Sequence, residues 1–567
     1  MKFFIFLRFI VLFSFYVGES SALARTDCTC YGCDPTGSGY APNHNISPDL
    51  LKDPNFRVLW NTTFESQERW YAQPLVYTPF STGKQLVITG STLNFVRTQD
   101  AATGKVINER QLEFPVLVDD IQCPNIPFHY GITGTPVIDP ETDTVYLFVN
   151  GYRNNNQSGG FLNVIYSFYA LNILDLTTRP GYPILIDGHH ADNSPENYFL
   201  GGTVLQRPGL VLLNRTVFGG FGTHCNAYNY TGWIVGAPTW HPNTQVAQAK
   251  LTHMFTTEAP PFAPPIVMDP YSGRSGKGGV WQGGFAITTD GTHLYFATGN
   301  GPPFAGFEQN NITMGPGNGK AGLSTANNAV IKLGAADGKL SIVDYFQPAD
   351  YFARRSRPDQ DLGSGGVALL DQRVFKGPMG ERVALQCGKL GILYVMDTGD
   401  LGGFANGNNL TNDVLQEVKL PFSGGDISGG LASYPGEGGY IYANKNGGQM
   451  LAYKYREGGT FELAGVSPFN NTATASTPSV TSLDGKPGTA IVWSQYEYDL
   501  IPYDLDPYPS DNDLLKAWHA VPSADGQLVS IKLPVVGGQS RFIHLGFGDG
   551  RIYLAGLDNN IICLGVS

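Results

Sequence analysis

One phrase recurs along this chain: a short apolar run that reaches an Asp or small polar residue and then breaks at a turn. Four copies occupy residues 96–104, 170–177, 330–338 and 393–399. Self-similarity at a spacing of tens of residues, with β-strand chemistry in each unit, is typical of a β-propeller or another repeat array. The pattern therefore predicts an all-β protein whose functional site lies on one face of a disc.

Eight repeat units can be marked by the apolar strands that they contain. These strands lie at residues 86–89, 144–149, 210–213, 293–297, 382–385, 440–443, 490–493 and 551–554. Each unit should form a four-stranded antiparallel blade, in which apolar and polar positions alternate between turns. We therefore expect an eight-bladed propeller. Seven blades are the alternative, because the sixth and seventh units are less regular.

The two ends of the chain each carry part of a blade. Residues 561–564 end the last unit without an outer strand, and residues 57–62 have no preceding strands of their own. Pairing these two segments would complete one blade, close the ring and remove exposed sheet edges. The predicted organisation is a Cys-rich N-terminal segment at residues 25–54, followed by a propeller domain at residues 55–567.

Composition agrees with many short strands joined by tight turns. The 567 residues include 71 glycines, and only 15% are charged while 12% are aromatic. A single core rarely grows to this length, but the blades of a propeller pack only on their neighbours, so one large domain is expected. The formal net charge is −12, and Lys and Arg do not cluster, so nucleic acid is not an expected partner.

The N-terminus predicts a secretory signal peptide over residues 1–24. Lys2 precedes an apolar stretch at residues 3–17, which Arg8 interrupts, and the small-x-small sequence 22–24 follows. A membrane anchor is the alternative, but the apolar stretch is short for a bilayer span. No membrane span is expected after cleavage, and the predicted location is the secretory-pathway lumen or the exterior of the cell.

Asn-x-Ser/Thr sequons support secretion, because they accept N-glycans in secreted proteins. Eight occur in the chain. They begin at Asn45, Asn61, Asn156, Asn214, Asn229, Asn311, Asn409 and Asn470. The sequence therefore predicts a glycosylated eukaryotic protein.

Seven cysteines are present, and the secretory route allows them to form disulfides. They are Cys28, Cys30, Cys33, Cys123, Cys225, Cys387 and Cys563. The odd number leaves one thiol free or paired between chains. The three cysteines within residues 28–33 could form a metal knuckle, but no nearby His-x-x-x-His completes it. Disulfides are therefore favoured, no metal site is predicted, and the pairing stays open.

The repeat resembles the quinoprotein-like propellers, a superfamily named for dehydrogenases that use pyrroloquinoline quinone (PQQ). Two parts of those enzymes are missing from the sequence, namely the adjacent cysteines that contact the cofactor and the Cys-x-x-Cys-His haem motif. More specific phrases stand at residues 131–139, 206–210, 220–225, 279–301 and 361–366. They resemble secreted fungal propellers, among them the hetero-Diels–Alderases of tropolone-sesquiterpenoid biosynthesis.

This resemblance implies a secreted pericyclase that needs no cofactor and joins a tropolone ortho-quinone methide to a humulene-type alkene. The quinone methide forms by loss of water from a benzylic alcohol, which one acid and one base can assist. Holding the reactants together supplies most of the acceleration, and a hydrogen-bond donor at the quinone-methide oxygen adds to it. The expected substrates are small and hydrophobic. A PQQ-dependent dehydrogenase and a non-catalytic propeller that binds a ligand are the alternatives.

Three residues are the predicted catalytic groups, and each has a structural alternative. His224, in a Gly-rich turn after a strand, can donate to a carbonyl or shuttle a proton, or it can order the turn. Arg207 can bind a tropolonate oxygen or form a buried ion pair. Asp361 can act as the base or pair with Arg207. We expect His224 and Arg207 to line one pocket, because both lie at ends of inner strands.

Aromatic and polar residues near the same strand ends are the predicted substrate-binding groups. Trp281 can stack on a flat tropolone ring, with packing between blades as the alternative. The others are Gln282, His129, Tyr130, Trp493, Tyr496 and His544. Five long loops are expected to cover the pocket. They span residues 113–130, 187–200, 259–280, 301–327 and 496–514. The oligomeric state is left open.

Overall fold

Eight antiparallel sheets stand in a ring around one axis, and each forms a blade of a β-propeller. A computed structural model describes residues 24–567 apart from residues 158, 226–227, 229, 244–246, 258–277, 301–325, 337, 352–359, 422–426, 469–473, 498–513 and 538–541. Strands account for 43% of the structure, and helices are almost absent from it. The prediction of an eight-bladed, all-β fold is confirmed, and the seven-bladed alternative is wrong.

The first four blades follow one another in the chain, and the strands of each run in chain order from the axis outwards. Blade 1 contains Leu75–Tyr77, Leu86–Gly90, Phe95–Asp100 and Val106–Gln111. Blade 2 contains Val137–Asp139, Thr144–Tyr152, Val164–Asn172 and Ile184–Leu185. Blade 3 has an inner strand in two pieces, Val204–Gln206 and Val211–Leu213, and then Thr216–Thr223, Trp233–Pro238 and His253–Thr256. Blade 4 contains Thr288–Thr289, Leu294–Ala297, Val330–Ala336 and Lys339–Gln347, with Gly403–Phe404 added at its outer edge.

The second four blades repeat this order, including the two units that look less regular in the sequence. Blade 5 contains Val367–Leu369, Val383–Cys387, Ile392–Asp397 and Gln416–Lys419. Blade 6 contains Ala432–Tyr434, Tyr440–Asn444, Met450–Arg456 and Thr460–Val466. Blade 7 contains Ser479–Thr481, Ile491–Glu497, Leu515–His519 and Ser530–Ile531, with Tyr40–Ala41 and Thr474–Ala475 at its margins. Blade 8 contains Gly546–Phe547, Arg551–Gly556, Asn560–Val566 and Phe56–Thr63.

Blade 8 is built from both ends of the chain. Phe56–Thr63 pairs antiparallel with Asn560–Val566 as the outer strand, with Trp60 opposite Cys563. This pairing closes the ring, as the sequence predicted. The Trp60 ring extends the closure into blade 1, because its Nε1 donates to the carbonyl of Ala101 at 3.2 Å.

The N-terminal segment runs along the inside of the ring and meets the blades in chain order. Its carbonyl groups accept hydrogen bonds from amides on or beside the inner strands, from Cys28 at blade 1 to His44 at blade 8. The donors are Val76, Ile138, Thr289, Leu369, Ser433, Val480 and Gly550, at N···O distances between 2.8 and 2.9 Å. At blade 3 the contact is a side chain, since Tyr31 packs against Gly209. Residues 28–44, called the axial segment from here on, thus contact every blade.

An aromatic cluster fills the axis. Phe285 and His544 pack edge to face on Tyr31, with ring centroids 5.4 and 5.2 Å away. The Phe285 ring also lies only 2.1 Å from the positions that a Cβ on Gly366 or on Gly430 would occupy. A side chain at either glycine would displace this ring, which explains why the inner strands of blades 5 and 6 are preceded by Gly-Gly pairs.

The inner strands begin at the same end of the ring. Gly365 and Gly429, which precede two neighbouring inner strands, form a parallel bridge. In a four-stranded antiparallel blade, the loop before the inner strand and the turn between the second and third strands lie at that same end. We call this end the upper face and the opposite end the lower face. Every predicted site residue except Trp493 comes from these loops or from the adjoining end of a strand.

Short helical turns connect some of the strands. The α-helices among the described residues are Pro48–Lys52, capped by Ser47, and Val118–Ile121. The 3₁₀ turns lie at Tyr31–Cys33, Gly160–Asn163, Gly201–Thr203, Gln282–Gly284, Leu362–Ser364, Asn408–Leu410 and Gly436–Gly438. Two small hairpins pair Val116–Leu117 with His129–Tyr130 and His190–Ala191 with Ser194–Tyr198. No helix in the part of the chain that the structure describes has the length and apolar character that a membrane crossing needs.

Two disulfides form, one in the axial segment and one between loops of the upper face. Cys28 pairs with Cys33, and Cys123 pairs with Cys225. Three of the seven cysteines take part in neither disulfide, so the expectation of a single cysteine outside the disulfides is wrong. They are Cys30, Cys387 and Cys563. The reason is burial, because these thiols lie in three separate core clusters and cannot meet.

Five of the eight predicted glycosylation sites lie in the described residues, and each of these asparagines is exposed. They are Asn45, Asn61, Asn156, Asn214 and Asn409. Several other predictions fall outside the described residues. These are Asn229, Asn311, Asn470, the signal peptide up to residue 23, and most of the loops at 259–280, 301–327 and 496–514.

Replacing Tyr31 by Ala is expected to lower the free energy of unfolding by about 3–5 kcal/mol, because loss of a buried aromatic ring leaves a cavity at the axis. Tyr31→Phe keeps the ring and loses only the hydrogen bond from the hydroxyl to Thr477 Oγ1 at 3.0 Å, so a loss of about 1 kcal/mol is expected. Chemical denaturation followed by tryptophan fluorescence measures both. Met379→Ala, at a side chain that is 85% exposed, is the control. A Tyr31→Ala protein as stable as this control would contradict the structural role of the axial segment.

Candidate active site on the upper face

An ion pair between Asp361 and Lys389 stands at the upper face, between blades 4 and 5. Lys389 Nζ lies 3.0 Å from Asp361 Oδ2, and the Lys389 and Asp361 side chains are only 16% and 9% exposed. The other carboxylate oxygen accepts the backbone N–H of Asn300 at 2.7 Å. Pairing and hydrogen bonding compensate buried charges for the loss of solvent around them. The pair therefore places a proton donor and a proton acceptor side by side.

Backbone hydrogen bonds hold the two partners in place. Lys389 lies in the turn between the second and third strands of blade 5, and its N–H donates to the Asp361 carbonyl at 3.0 Å. Leu362, the residue after Asp361, donates to Asn328 Oδ1 at 3.0 Å and begins a 3₁₀ turn. Asp361 is thus fixed from blade 4 and from blade 5 at once.

The indole of Trp281 completes the cluster. Lys389 Nζ lies 5.5 Å from the ring centroid, within the range of a cation–π contact. A Cβ on Gly299 would lie 3.0 Å from Asp361 Oδ1 and 3.3 Å from Trp281 Nε1, so the carboxylate and the indole N–H border the same small space. Trp281 itself stays partly exposed. We call Trp281, Asp361 and Lys389 the indole–ion-pair cluster.

The sequence predicts two members of this cluster and misses the third. Trp281 and Asp361 are predicted site residues, and the structure brings them together. The ion-pair partner of Asp361 is Lys389 and not Arg207. The signal that could have found Lys389 is its position, because a turn between the second and third strands of a blade lies on the same face as Asp361.

Arg207 lies nearer the axis, where it binds backbone carbonyls. Its Nη1 donates to the carbonyls of Tyr71 at 3.0 Å and Thr133 at 3.1 Å, and its guanidinium carbon lies 5.0 Å from the Tyr71 ring centroid. Tyr71 precedes blade 1 and Thr133 precedes blade 2, so the buried Arg207 side chain ties three upper loops together. Binding of a tropolonate oxygen by Arg207 stays a prediction.

His224 is fully buried beside the Cys123–Cys225 disulfide. Its ring meets Tyr130 edge to face at a centroid distance of 4.8 Å. Burial lowers the pKa of His224 to about 3, so the imidazole is neutral near pH 7. Residues 204–206 pair with residues 221–223, which places Arg207 and His224 at opposite ends of this ladder. In this register Arg207 lies opposite Gly220, four residues from His224, so about 13 Å of strand separates them and the two side chains belong to different parts of the upper face.

In three more predicted residues, polar side-chain atoms form hydrogen bonds with other residues of the propeller. The side-chain amide of Gln282 bonds only to backbone groups of its own blade in the described structure. Trp493 lies in the core of blade 7, where its Nε1 donates to Thr481 Oγ1 at 2.8 Å. The hydroxyl of Tyr496 donates to Asn444 Oδ1 at 3.2 Å. These contacts favour structural roles for all three.

The remaining predicted residues divide between the axis and the loop before blade 2. His544 belongs to the axial cluster, where Ser479 Oγ lies 3.0 Å from its Nδ1, and burial lowers the pKa of His544 to about 4. His129 and Tyr130 form one strand of a small hairpin, and the Tyr130 hydroxyl donates to the Cys123 carbonyl. Partial burial also lowers the pKa of His129.

Comparison with known proteins finds likeness in fold. No protein-family model and no curated protein matches the sequence. The quinohemoprotein alcohol dehydrogenase ADHIIG from Pseudomonas putida has a TM-score of 0.55 and 13% identity, over 96% of this chain and 80% of that chain. A europium-containing methanol dehydrogenase has a TM-score of 0.54 and 13% identity, over 94% of this chain and 89% of that chain. At this identity the likeness shows a shared β-propeller fold and nothing of the chemistry.

The fold raises the question of a bound quinone with a metal ion. In the described residues, no three His, Cys, Asp or Glu side chains stand close enough to hold a metal ion. The carboxylate of Asp361 is already bound by the Lys389 ammonium and by the Asn300 N–H. An ammonium at this carboxylate repels a metal cation, so the residues of the cluster do not fit a metal-bound quinone.

The stability of the protein is expected to fall as the pH drops below 6.5, partly through His224. The pKa of His224 is lowered from 6.5 to about 3 by folding, so acid favours the unfolded chain, which binds the extra proton. At pH 4.5 this group alone should cost about 2–3 kcal/mol relative to pH 7. Denaturant unfolding at both pH values is the measurement. His224→Gln should reduce the difference by that amount, whereas His190→Gln, at an exposed side chain, should leave it unchanged. Identical pH dependence in His224→Gln and wild type would show that the buried imidazole does not carry this effect.

Proposed function

We propose that the chain is a cofactor-independent enzyme that acts on small, flat, hydrophobic substrates at the upper face. Its reaction is the hetero-Diels–Alder addition of a tropolone ortho-quinone methide to a humulene-type alkene. The observation that carries the proposal is the indole–ion-pair cluster, in which a partly exposed indole, an ammonium and a carboxylate meet. The substrate class comes from the resemblance of the sequence to secreted fungal propellers with this activity.

Lys389 and Asp361 supply the proton transfers that form the quinone methide. The Lys389 ammonium donates a proton to the benzylic hydroxyl, the C–O bond breaks and water leaves. Asp361 accepts the proton of the tropolone hydroxyl, which leaves a neutral ortho-quinone methide. Transfer of this proton from Asp361 to the Lys389 amine, across their 3.0 Å contact, restores the ion pair. The net change is the loss of one water without oxidation or reduction.

Trp281 and Lys389 then serve the addition itself. The flat quinone methide stacks on the indole, which holds it in one orientation toward the alkene. The restored ammonium donates a hydrogen bond to the quinone-methide oxygen and stabilises the negative charge that grows there. One C–C bond and one C–O bond form together, so no electron acceptor is required.

The alternatives are a PQQ-dependent dehydrogenase and a non-catalytic propeller that binds a ligand. The shared fold supports a dehydrogenase at the level of architecture alone. The contact between Asp361 and Lys389 weighs against it, because the ammonium takes the position next to the carboxylate that a metal cation would need. A non-catalytic propeller would bind the same substrates without converting them.

The wild-type protein, incubated without cofactor with a benzylic tropolone alcohol and a humulene-type alkene, is expected to give one stereoisomer faster than the background. Lys389→Met and Asp361→Asn should each lower kcat by about 10²–10⁴-fold, the usual contribution of a general acid or base. Trp281→Ala should chiefly raise KM, because it removes the stacking surface. Chiral liquid chromatography with mass spectrometry follows the products.

Lys454→Met is the matched control for these variants. Lys454 also contacts an aromatic ring, with Nζ 4.1 Å from the Tyr440 centroid, but it lies toward the lower face, so kcat should not change. Thermal unfolding of each variant separates lost activity from lost folding. Lys389→Arg is the conservative variant, because it keeps a cation beside Asp361. A wild-type product mixture identical to the background would overturn the proposal for these substrates. Alcohol oxidation that requires added PQQ and Ca²⁺ would support the dehydrogenase instead.

A further inference from the structure

A pocket of about 370 Å³ opens at the lower face, between blades 2 and 3. It lies at the opposite end of the ring from the indole–ion-pair cluster and is independent of the proposed function. Its walls include the side chains of Tyr182, Trp240, His241, Gln248 and Lys250. The pocket thus combines two aromatic rings with an imidazole, an amide and an ammonium group.

Hydrogen bonds and a cation–π contact hold the aromatic walls of this pocket in place. The Tyr182 hydroxyl donates to the Pro238 carbonyl at 2.6 Å. The backbone N–H of Trp240 donates to the Tyr146 hydroxyl at 2.7 Å. The Arg179 guanidinium carbon lies 4.2 Å from the Trp240 ring centroid, which covers one face of the indole and fixes its orientation. A site held in this way loses little freedom when a ligand binds.

The chemistry of the pocket suits a sugar ring. One face of a pyranose carries C–H groups that pack on an aromatic ring, as an apolar ligand face does. The hydroxyl and acetamido groups at the sugar's edge can bond to the amide of Gln248, the ammonium of Lys250 and the imidazole of His241. A few polar groups around an aromatic wall are the usual composition of a small-ligand site.

A glycosylation sequon lies next to this pocket. Asn214 and Arg215 form the two-residue turn between strands Val211–Leu213 and Thr216–Thr223, and both have positive φ, at 49° and 61°. Asn214 is exposed, as a glycan acceptor must be. The Arg215 carbonyl accepts the N–H of Thr239 at 2.9 Å, and Thr239 is part of the pocket wall.

From these contacts we propose that the N-glycan of Asn214 folds back into this pocket and that its N-acetylglucosamine core stacks on Trp240. The acceptor residue is one residue away from a direct backbone contact with the wall, so the first sugars of the glycan begin next to the pocket. The docked glycan covers a partly exposed indole and joins the Asn214 turn of blade 3 to the loop that carries Tyr182 in blade 2.

Protection from a glycosidase tests the proposal. The protein is produced in a eukaryotic secretory host, and glycopeptide mapping establishes occupancy at Asn214 and Asn409. Native protein is then treated with a peptide-N-glycosidase, and release from each site is followed by mass spectrometry. The Asn214 glycan should be released about tenfold more slowly than the Asn409 glycan, since a docking equilibrium constant of about ten corresponds to 1.4 kcal/mol. Asn409 is the matched site, because it is exposed and also lies in a turn with positive φ, at 58°.

Variants of Trp240 test whether the protection of the Asn214 glycan comes from the pocket. Trp240→Ala should bring release at Asn214 to the Asn409 rate, whereas Trp240→Phe should keep most of the protection. Release at Asn409 must stay unchanged in both. The proposal is overturned if Asn214 carries no glycan, if wild-type release is equally fast at both sites, or if Trp240→Ala leaves the Asn214 glycan protected. Binding of soluble chitobiose to the glycosylated protein, lost in Trp240→Ala, would overturn it as well, because it would show that the pocket is open to other sugars.

Discussion

The inner edges of eight blades face one axis, and their backbone N–H groups must find acceptors there. An edge strand leaves a row of amides unpaired, and a buried amide without an acceptor destabilises the fold. The axial segment meets this constraint with carbonyl groups from Cys28 to His44, which accept from the inner edges of seven blades in turn. The segment is therefore part of the propeller itself, and the Cys28–Cys33 disulfide shapes the point at which it enters the ring.

Side chains fill the axis of the ring, and this restricts where a functional site can form. Tyr31, Phe285 and His544 occupy the centre, so groups that meet a substrate must lie in the upper loops around it. Those loops are held by buried amide side chains that donate to backbone carbonyls. Gln386 binds the Leu362 carbonyl, next to Asp361, and corresponding bonds hold the loops of other blades. The rigidity of the indole–ion-pair cluster is thus a consequence of the way in which the blades are joined.

Local patterns predicted the blades, their number and the closure of the ring, because alternation and turn residues act over a few positions. The path of the axial segment could not be predicted in this way, since its Cys-, Pro- and Gly-rich sequence has no period. Disulfide pairing was equally hidden, because Cys123 and Cys225 are 102 residues apart and meet only when two loops of the upper face do. The turn that carries Lys389 could be assigned to the upper face, but its contact with Asp361 was missed because it joins two different loops. His224 and Arg207 were expected in one pocket, but their separation depends on the register of a strand pair, which the sequence does not display.

Two ion pairs of this protein differ in exposure and in surroundings. In blade 1, Arg97 and Glu68 are 2% and 0% exposed, so their pairing can only support the fold. A buried ion pair adds little net stability, because desolvation offsets most of the attraction, although removing one partner is costly. Asp361 and Lys389 are also shielded, but they retain some exposure and stand beside a partly exposed indole. Under the proposed function, a substrate that stacks on Trp281 would bring its oxygen atoms to both of these charges, which the buried pair of Arg97 and Glu68 does not allow.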